Sequence, residues 1–148
     1  MKTFRIFLTL SLLAAFATNC KKESNDNDFE GLRVTKDGVE WTAPTATGAL
    51  LSDKISLSGI DQGSLKTLSL FLPAGIAAGD HDIDPFGDVV ASYGEGFNIF
   101  APAVGRLTVT EHDTAGKRIK GTFSFTAPDA MSGTVSNFTG GEFNVAYQ

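Results

Sequence analysis

Beyond the first thirty residues, apolar positions recur at every second residue, in short runs broken by Gly, Asp, Asn and Ser. Leu107 and Val109 point one way, with Thr108 and Thr110 the other. Ile119, Gly121, Phe123 and Phe125 share one parity, and Arg118, Lys120, Thr122 and Ser124 share the opposite one. Ile55, Leu57 and Gly59 alternate with Lys54, Ser56 and Ser58, and Phe143 and Val145 repeat the pattern near the C-terminus. A strand places successive side chains on opposite faces, so this period belongs to antiparallel sheet with one buried and one wet face. No sustained 3.6-residue period follows the N-terminal segment, and no repeat of 20–50 residues is visible. The chain of 148 residues has room for one ordinary domain. Residues 31–148 are therefore expected to form a single all-β body, an antiparallel β-sandwich or a flattened barrel of about eight to ten strands.

The turns divide this region. Asp37-Gly38 joins Leu32–Thr35 to Val39–Thr42, since glycine accepts the positive φ that a tight hairpin demands. Ala49–Ser52 and Lys54–Ile60 follow, and Asp61-Gln62-Gly63 returns the chain into Lys66–Leu72. Gly94-Glu95-Gly96 links Val89–Tyr93 to Phe97–Ala101. Asp113 to Gly116 links Gly105–His112 to Lys117–Ala127, and Phe138–Tyr147 closes the chain.

The N-terminus follows a different rule. Lys2 and Arg5 precede an uncharged run of 12 residues, Ile6 to Ala17. Spanning a bilayer takes roughly 20 apolar residues, so residues 1–19 read as a secretory signal peptide. The run Ala17-Thr18-Asn19 leads into Cys20, the chain's single cysteine, which rules out an intramolecular disulfide. This end of the chain resembles a bacterial lipoprotein. The resemblance implies that Cys20 is the lipidation site: its thiol takes a diacylglycerol, the signal is cut before it, and the new amino group is acylated with a palmitate-type chain. The alternative is plain secretion, with cleavage at Ala15-Phe16-Ala17. An exposed lone thiol in an oxidising compartment is a liability that acylation removes. Several acyl chains anchor stably where one is marginal.

Residues 20–30 then read as the lipidated Cys20 and a polar tether, too hydrophilic to pack a core. The lipoprotein resemblance implies the outer membrane, because Lys21 stands where aspartate would favour inner-membrane retention. Glu23, Asp26 and Asp28 favour the cell surface over the periplasmic face, as acidic residues after the cysteine do in lipoproteins of the Bacteroidota.

A second resemblance covers nearly all of the remaining chain. It rests on Val39-x-Trp41 after the Asp-Gly turn, Gly105-x-Leu107-x-Val109, Gly121-x-Phe123-x-Phe125 and Gly140-Gly141-x-Phe143-x-Val145. Their order and spacing are similar to those of a family of small Bacteroidota outer-membrane lipoproteins of unknown function. The resemblance implies an all-β domain and no assigned reaction. Where those proteins tend to carry Gly-x-aromatic-x-aliphatic, this chain has Gly79-Asp80-His81-Asp82-Ile83.

Few residues point to chemistry. Asp80, Asp82, Asp84 and Asp88 form the densest acidic cluster, and calcium takes clustered carboxylates. Counted from Asp80, however, the positions a twelve-residue calcium loop reserves for glycine and glutamate hold Pro85 and Ala91. On a strand, Asp80, Asp82 and Asp84 would simply face solvent while His81 and Ile83 face inward. His112 enters a turn and is expected to be solvated. Neither histidine has the companions of a zinc site, and no G-x-S-x-G motif occurs. Trp41, Tyr93, Phe86 and Tyr147 are the aromatics that could meet a glycan or protein partner. Trp41 is expected in the core, and Phe86 is the best placed for exposure. The net charge of −5 argues against a nucleic-acid partner. The expectation is a lipid-anchored envelope protein with no enzymatic activity, cofactor or metal, serving as a binding or structural module with a protein or glycan partner. The alternatives are a lipocalin-like carrier with an apolar cavity and, third, a hydrolase.

Overall fold

The computed structural model describes residues 29–148; the signal segment, Cys20 and the tether up to residue 28 lie outside the described residues. Eleven strands follow: β1 (Gly31–Lys36), β2 (Val39–Thr42), β3 (Thr45–Leu51), β4 (Lys54–Asp61), β5 (Lys66–Pro73), β6 (Gly79–Ile83), β7 (Val90–Glu95), β8 (Asn98–Phe100), β9 (Val104–Asp113), β10 (Arg118–Pro128) and β11 (Val135–Ala146). All ladder pairings between them are antiparallel. One sheet has six strands in the order β2-β1-β11-β10-β9-β6, and the other five in the order β3-β4-β5-β7-β8. The body is an open sandwich rather than a closed barrel.

Ten of the strands correspond to the runs read from alternation, and β6 is the eleventh. Two strand starts move by three residues or more: β11 begins at Val135 rather than Phe138, and β3 at Thr45 rather than Ala49. Its first four residues, Thr-Ala-Thr-Gly, carry no large apolar side chain to mark them, because β3 is an edge strand. Phe97 belongs to the turn before β8 and is 93% exposed.

The inward parity is the one the sequence implies. Leu32, Val34, Ile55, Leu57, Leu68, Leu70, Leu72, Leu107, Ile119, Phe125 and Phe143 are all buried between the sheets. Each such side chain contributes about 1.5–3 kcal/mol relative to exposure. Phe138 sits among aromatic rings, with its centroid 5.0 Å from Tyr93, 4.4 Å from Phe125 and 5.8 Å from Phe100. Trp41 meets Tyr93 edge-on at 5.8 Å and lies in the core as expected. Val39, of the same parity, projects past the core at the hairpin tip and is 66% exposed.

Two bulges interrupt the six-stranded sheet, one in β9, where Thr110 is the extra residue opposite Lys120 and Gly121, and one in β11. In β11, Phe138 pairs with Phe125 and Gly141 with Phe123, so one residue too many lies between the pairs; β1 meets the same excess between Thr139 and Glu142. Gly140 sits in this bulge at φ 57°, the left-handed region that glycine enters freely. The extra residue switches parity: Ser136 and Phe138 face inward before it, and Gly141, Phe143 and Val145 after it.

The sheet edges are partly covered. The chain's end bonds to β3, with Leu50 N–H donating to the Gln148 carbonyl at 2.7 Å. The β10–β11 loop bonds to β8, with Ala130 N–H donating to the Ile99 carbonyl at 2.7 Å. Such covers blunt edge-to-edge pairing.

Candidate functional site

The acidic cluster lies on the outer edge of the six-stranded sheet. Asp80, Asp82, Asp84 and Asp88 are exposed and Ile83 is buried. Strand pairing sets Arg106 of β9 opposite Asp82, and its guanidinium lies 3.6 Å from both Asp80 and Asp82. Asp80 also accepts the Thr108 hydroxyl at 2.6 Å, and Asp84 accepts the Phe86 N–H at 2.8 Å, closing the loop that leaves Phe86 98% exposed. Asp80 and Asp82 thus share the Arg106 guanidinium, while Asp84 turns to its own loop. Among the described residues no group of three or more His, Cys, Asp or Glu side chains converges as a metal would require. His81 is half-buried at the sheet edge, with Nε2 2.8 Å from the Ala77 carbonyl.

His112 is not solvated as its place beside a turn suggested. Its Nδ1 lies 2.9 Å from the Ile76 carbonyl and its Nε2 2.9 Å from the Tyr147 hydroxyl. A carbonyl only accepts, so Nδ1 donates to Ile76, while Nε2 shares a hydrogen bond with the Tyr147 hydroxyl. Tyr147 is 5% exposed and Tyr93 2% exposed, so neither presents a face to a partner. Burial first, then the charges of Glu95 and Asp61, push the Tyr93 phenol upward.

What the sheet does present on its outer face is a set of three neighbouring concavities, together called the furrow. Three adjoining concavities of about 300, 240 and 160 Å³ share Glu142. The first is lined by Arg106, Thr108, Thr122, Ser124 and Gly140, the second by Arg33 and Glu40, and the third by Phe29, Thr110, Lys120 and Asn144. The bulge at Gly140 borders two of them, and bulges bend a sheet and re-aim its side chains. Glu142 follows directly. One of its carboxylate oxygens accepts both Arg33 Nε at 3.0 Å and Arg33 Nη2 at 2.6 Å. Sequence reading did not single out Arg33 or Glu142. The signal available was the Gly140-Gly141 doublet, where alternation slips by one.

The chain's entry into the body borders this furrow. Glu30 pairs with Arg118 at 2.7 Å, and that guanidinium holds the carboxyl below its ordinary value. Asn144 Nδ2 donates to the Phe29 carbonyl at 2.8 Å, and Arg33 lies 4.5 Å over the Phe29 ring. The last two residues of the segment read as tether are therefore tied to the body.

A second concavity type occurs at the Trp41 end, about 170 Å³, lined by Val39, Trp41, Tyr93, Lys36, Lys66 and Glu95. Its two lysines both reach Glu95, at 3.3 and 3.4 Å. The buried Trp41 Nε1 makes no hydrogen bond; it lies near enough to Asp61 to help lower that carboxyl, after Ser64 has done most of it.

Compared with known proteins, residues 30–145 match a family model described as a domain of unknown function, DUF6252. No curated protein and no solved structure matches the chain.

Proposed function

Since the chain belongs to the DUF6252 family, whose description assigns no activity, we propose from its own residues that it is a lipid-anchored envelope protein with a non-catalytic binding body. The observation that carries this reading is the furrow centred on Glu142. Its largely polar lining comes from five adjacent strands, β9, β10, β11, β1 and β2. Its central carboxylate is oriented by two hydrogen bonds from Arg33, a fixed polar pair suited to recognition. Contact among the rings of Tyr93, Phe100, Phe125 and Phe138 favours a filled body over a carrier with an apolar cavity. Cys20 and the outer-membrane location belong to the proposal on the strength of the sequence, as does an origin among Bacteroidota lipoproteins; exposure at the cell surface is favoured by Glu23, Asp26 and Asp28.

Co-sedimentation with delipidated envelope fragments tests the binding body. The wild-type chain pellets with the fragments. Thr122→Arg, which drives a long cation into the furrow from an outward-facing position, stays in the supernatant while keeping its melting temperature. Equal pelleting of the two proteins, or no pelleting of either, defeats the reading.

A further inference from the structure

We infer that the furrow takes an extended, uncharged polyhydroxylated ligand, that is, a neutral glycan chain. This deepens the binding reading above and rests on it.

Shape comes first. The lining residues come from β9, β10, β11, β1 and β2, consecutive across the sheet. Strands stand roughly 4.8 Å apart, so the furrow runs about 19 Å across their direction. That length suits a chain rather than a single compact molecule.

The chemistry of the lining then selects the chain. Thr110, Thr122 and Ser124 offer hydroxyls, which both donate and accept, and Thr108, whose hydroxyl donates to Asp80, offers an acceptor. Between them stand planar groups with fixed hydrogen-bond directions: the Arg33 guanidinium and the Glu142 carboxylate. Sugar hydroxyls also donate and accept, so a dense two-way array matches them. Phe29, at one end, supplies an apolar edge for the C–H face of a ring.

Charge excludes the other polymers. Each cation bordering the furrow has its carboxylate: Arg33 with Glu142, Arg106 with Asp80 and Asp82, and Lys120 with Glu111 at 3.4 Å. A polyanion, whether nucleic acid or acidic polysaccharide, would have to displace those partners on a molecule of net charge −5. A protein partner would need apolar or aromatic anchors in the centre of the contact. Phe123 and Phe143, which border the furrow, turn their rings inward to the core and are buried at 4% and 1% exposure. The exposed apolar residues Phe97 and Met131 do not line it.

Native affinity electrophoresis of the full chain in a zwitterionic, sugar-free detergent tests this. Gels are cast with dextran, laminarin, xylan or mannan, and with dextran sulfate as the polyanion. At least one neutral polymer slows the wild-type chain and dextran sulfate does not. Thr122→Val and Ser124→Ala each remove one outward hydroxyl and weaken the retardation about threefold to tenfold, the worth of one hydrogen bond. Hydrogen exchange of the wild-type chain gives a reading independent of any variant: the retarding polymer slows amides of β10 and β11 and leaves β4 and β5 unchanged. Three results overturn the proposal: no retardation by any neutral polymer, retardation indifferent to both substitutions, or stronger retardation by dextran sulfate. If the neutral polymers fail while Thr122→Arg still abolishes pelleting with envelope fragments, the glycan assignment falls and the binding body stands.

Discussion

Three glycines of the six-stranded sheet face phenylalanines across the strand. Gly121 pairs with Phe143, Gly141 with Phe123 and Gly105 with Phe125. The first two pairs are reciprocal: each strand gives one glycine and one ring. A Cβ on Gly141 would overlap the Phe123 ring, and one on Gly121 would overlap Phe143 and the Thr108 carbonyl. The rings lie down over bare backbone, an arrangement that pins the register of two strands. Gly141→Ala is therefore expected to cost about 1–3 kcal/mol through overpacking, read as a lowered urea midpoint with an unchanged slope. The same substitution at Gly38, whose turn has open space around it, meets strain at φ 85° but no collision, so the two variants separate backbone strain from packing. The Gly-x-Phe spacing was plain in the sequence. Its meaning was not, because the ring over each glycine comes from the neighbouring strand.

At the scale of elements, turns and edges are set by carboxylates. Asp61 closes the β4–β5 turn by accepting Gly63 N–H, Ser64 N–H and the Ser64 hydroxyl at 3.0, 3.1 and 2.6 Å. Those bonds, the Ser64 hydroxyl foremost, hold its carboxyl below the ordinary range. Asp37 ties the β1–β2 turn to β11 by accepting the Asn137 N–H at 2.8 Å, and is lowered chiefly by it. A carboxyl that titrates lower when folded stabilises the fold fully above the ordinary carboxylate range, and the stabilisation is lost as pH falls through the lowered value. Urea midpoints are thus expected to hold steady from neutral pH to the carboxylate range and then fall. Asp61→Asn should flatten part of that fall; an unchanged profile would remove Asp61 from the account. Both groups are solvent-exposed, so screening keeps each effect small. Asp80 and Asp82 have an element-scale role as well. They line β6, an outer edge of the sheet, and charge on an edge strand discourages pairing with another chain. The acidic run was legible in the sequence as a solvated face; its guanidinium partner, Arg106, was not, since it lies on β9.

For the molecule as a whole, the point where the N-terminal segment enters the body matters most. Phe29 and Glu30 are fastened by Asn144, Arg33 and Arg118. The residues between Cys20 and Phe29 reach at most about 30 Å fully extended. A body acylated at Cys20 would therefore stay within that distance of the lipid, with the furrow opening beside the point where the tether arrives. Cys20→Ser is expected to move the protein from the membrane fraction to the soluble one, with the melting temperature of the body unchanged. Retention of the variant in the membrane fraction would sink the anchor. Protease treatment of intact cells, run beside it, reports which face of the membrane the body occupies.

The sequence by itself determined the fold class, the inward parity of the strands and most of their turns, because these depend on side-chain period and on local backbone preference. Cys20 as the anchor rests on the sequence alone. The tertiary structure decided what strand-to-strand register controls: a parity switch at Gly140, aromatic rings over distant glycines, His112 locked between Ile76 and Tyr147, and Arg33 brought onto Glu142. Those partners are separated by up to 109 positions along the chain. Alternation shows which way a side chain points within its own strand, but not which strand lies beside it, and only that neighbour makes a furrow.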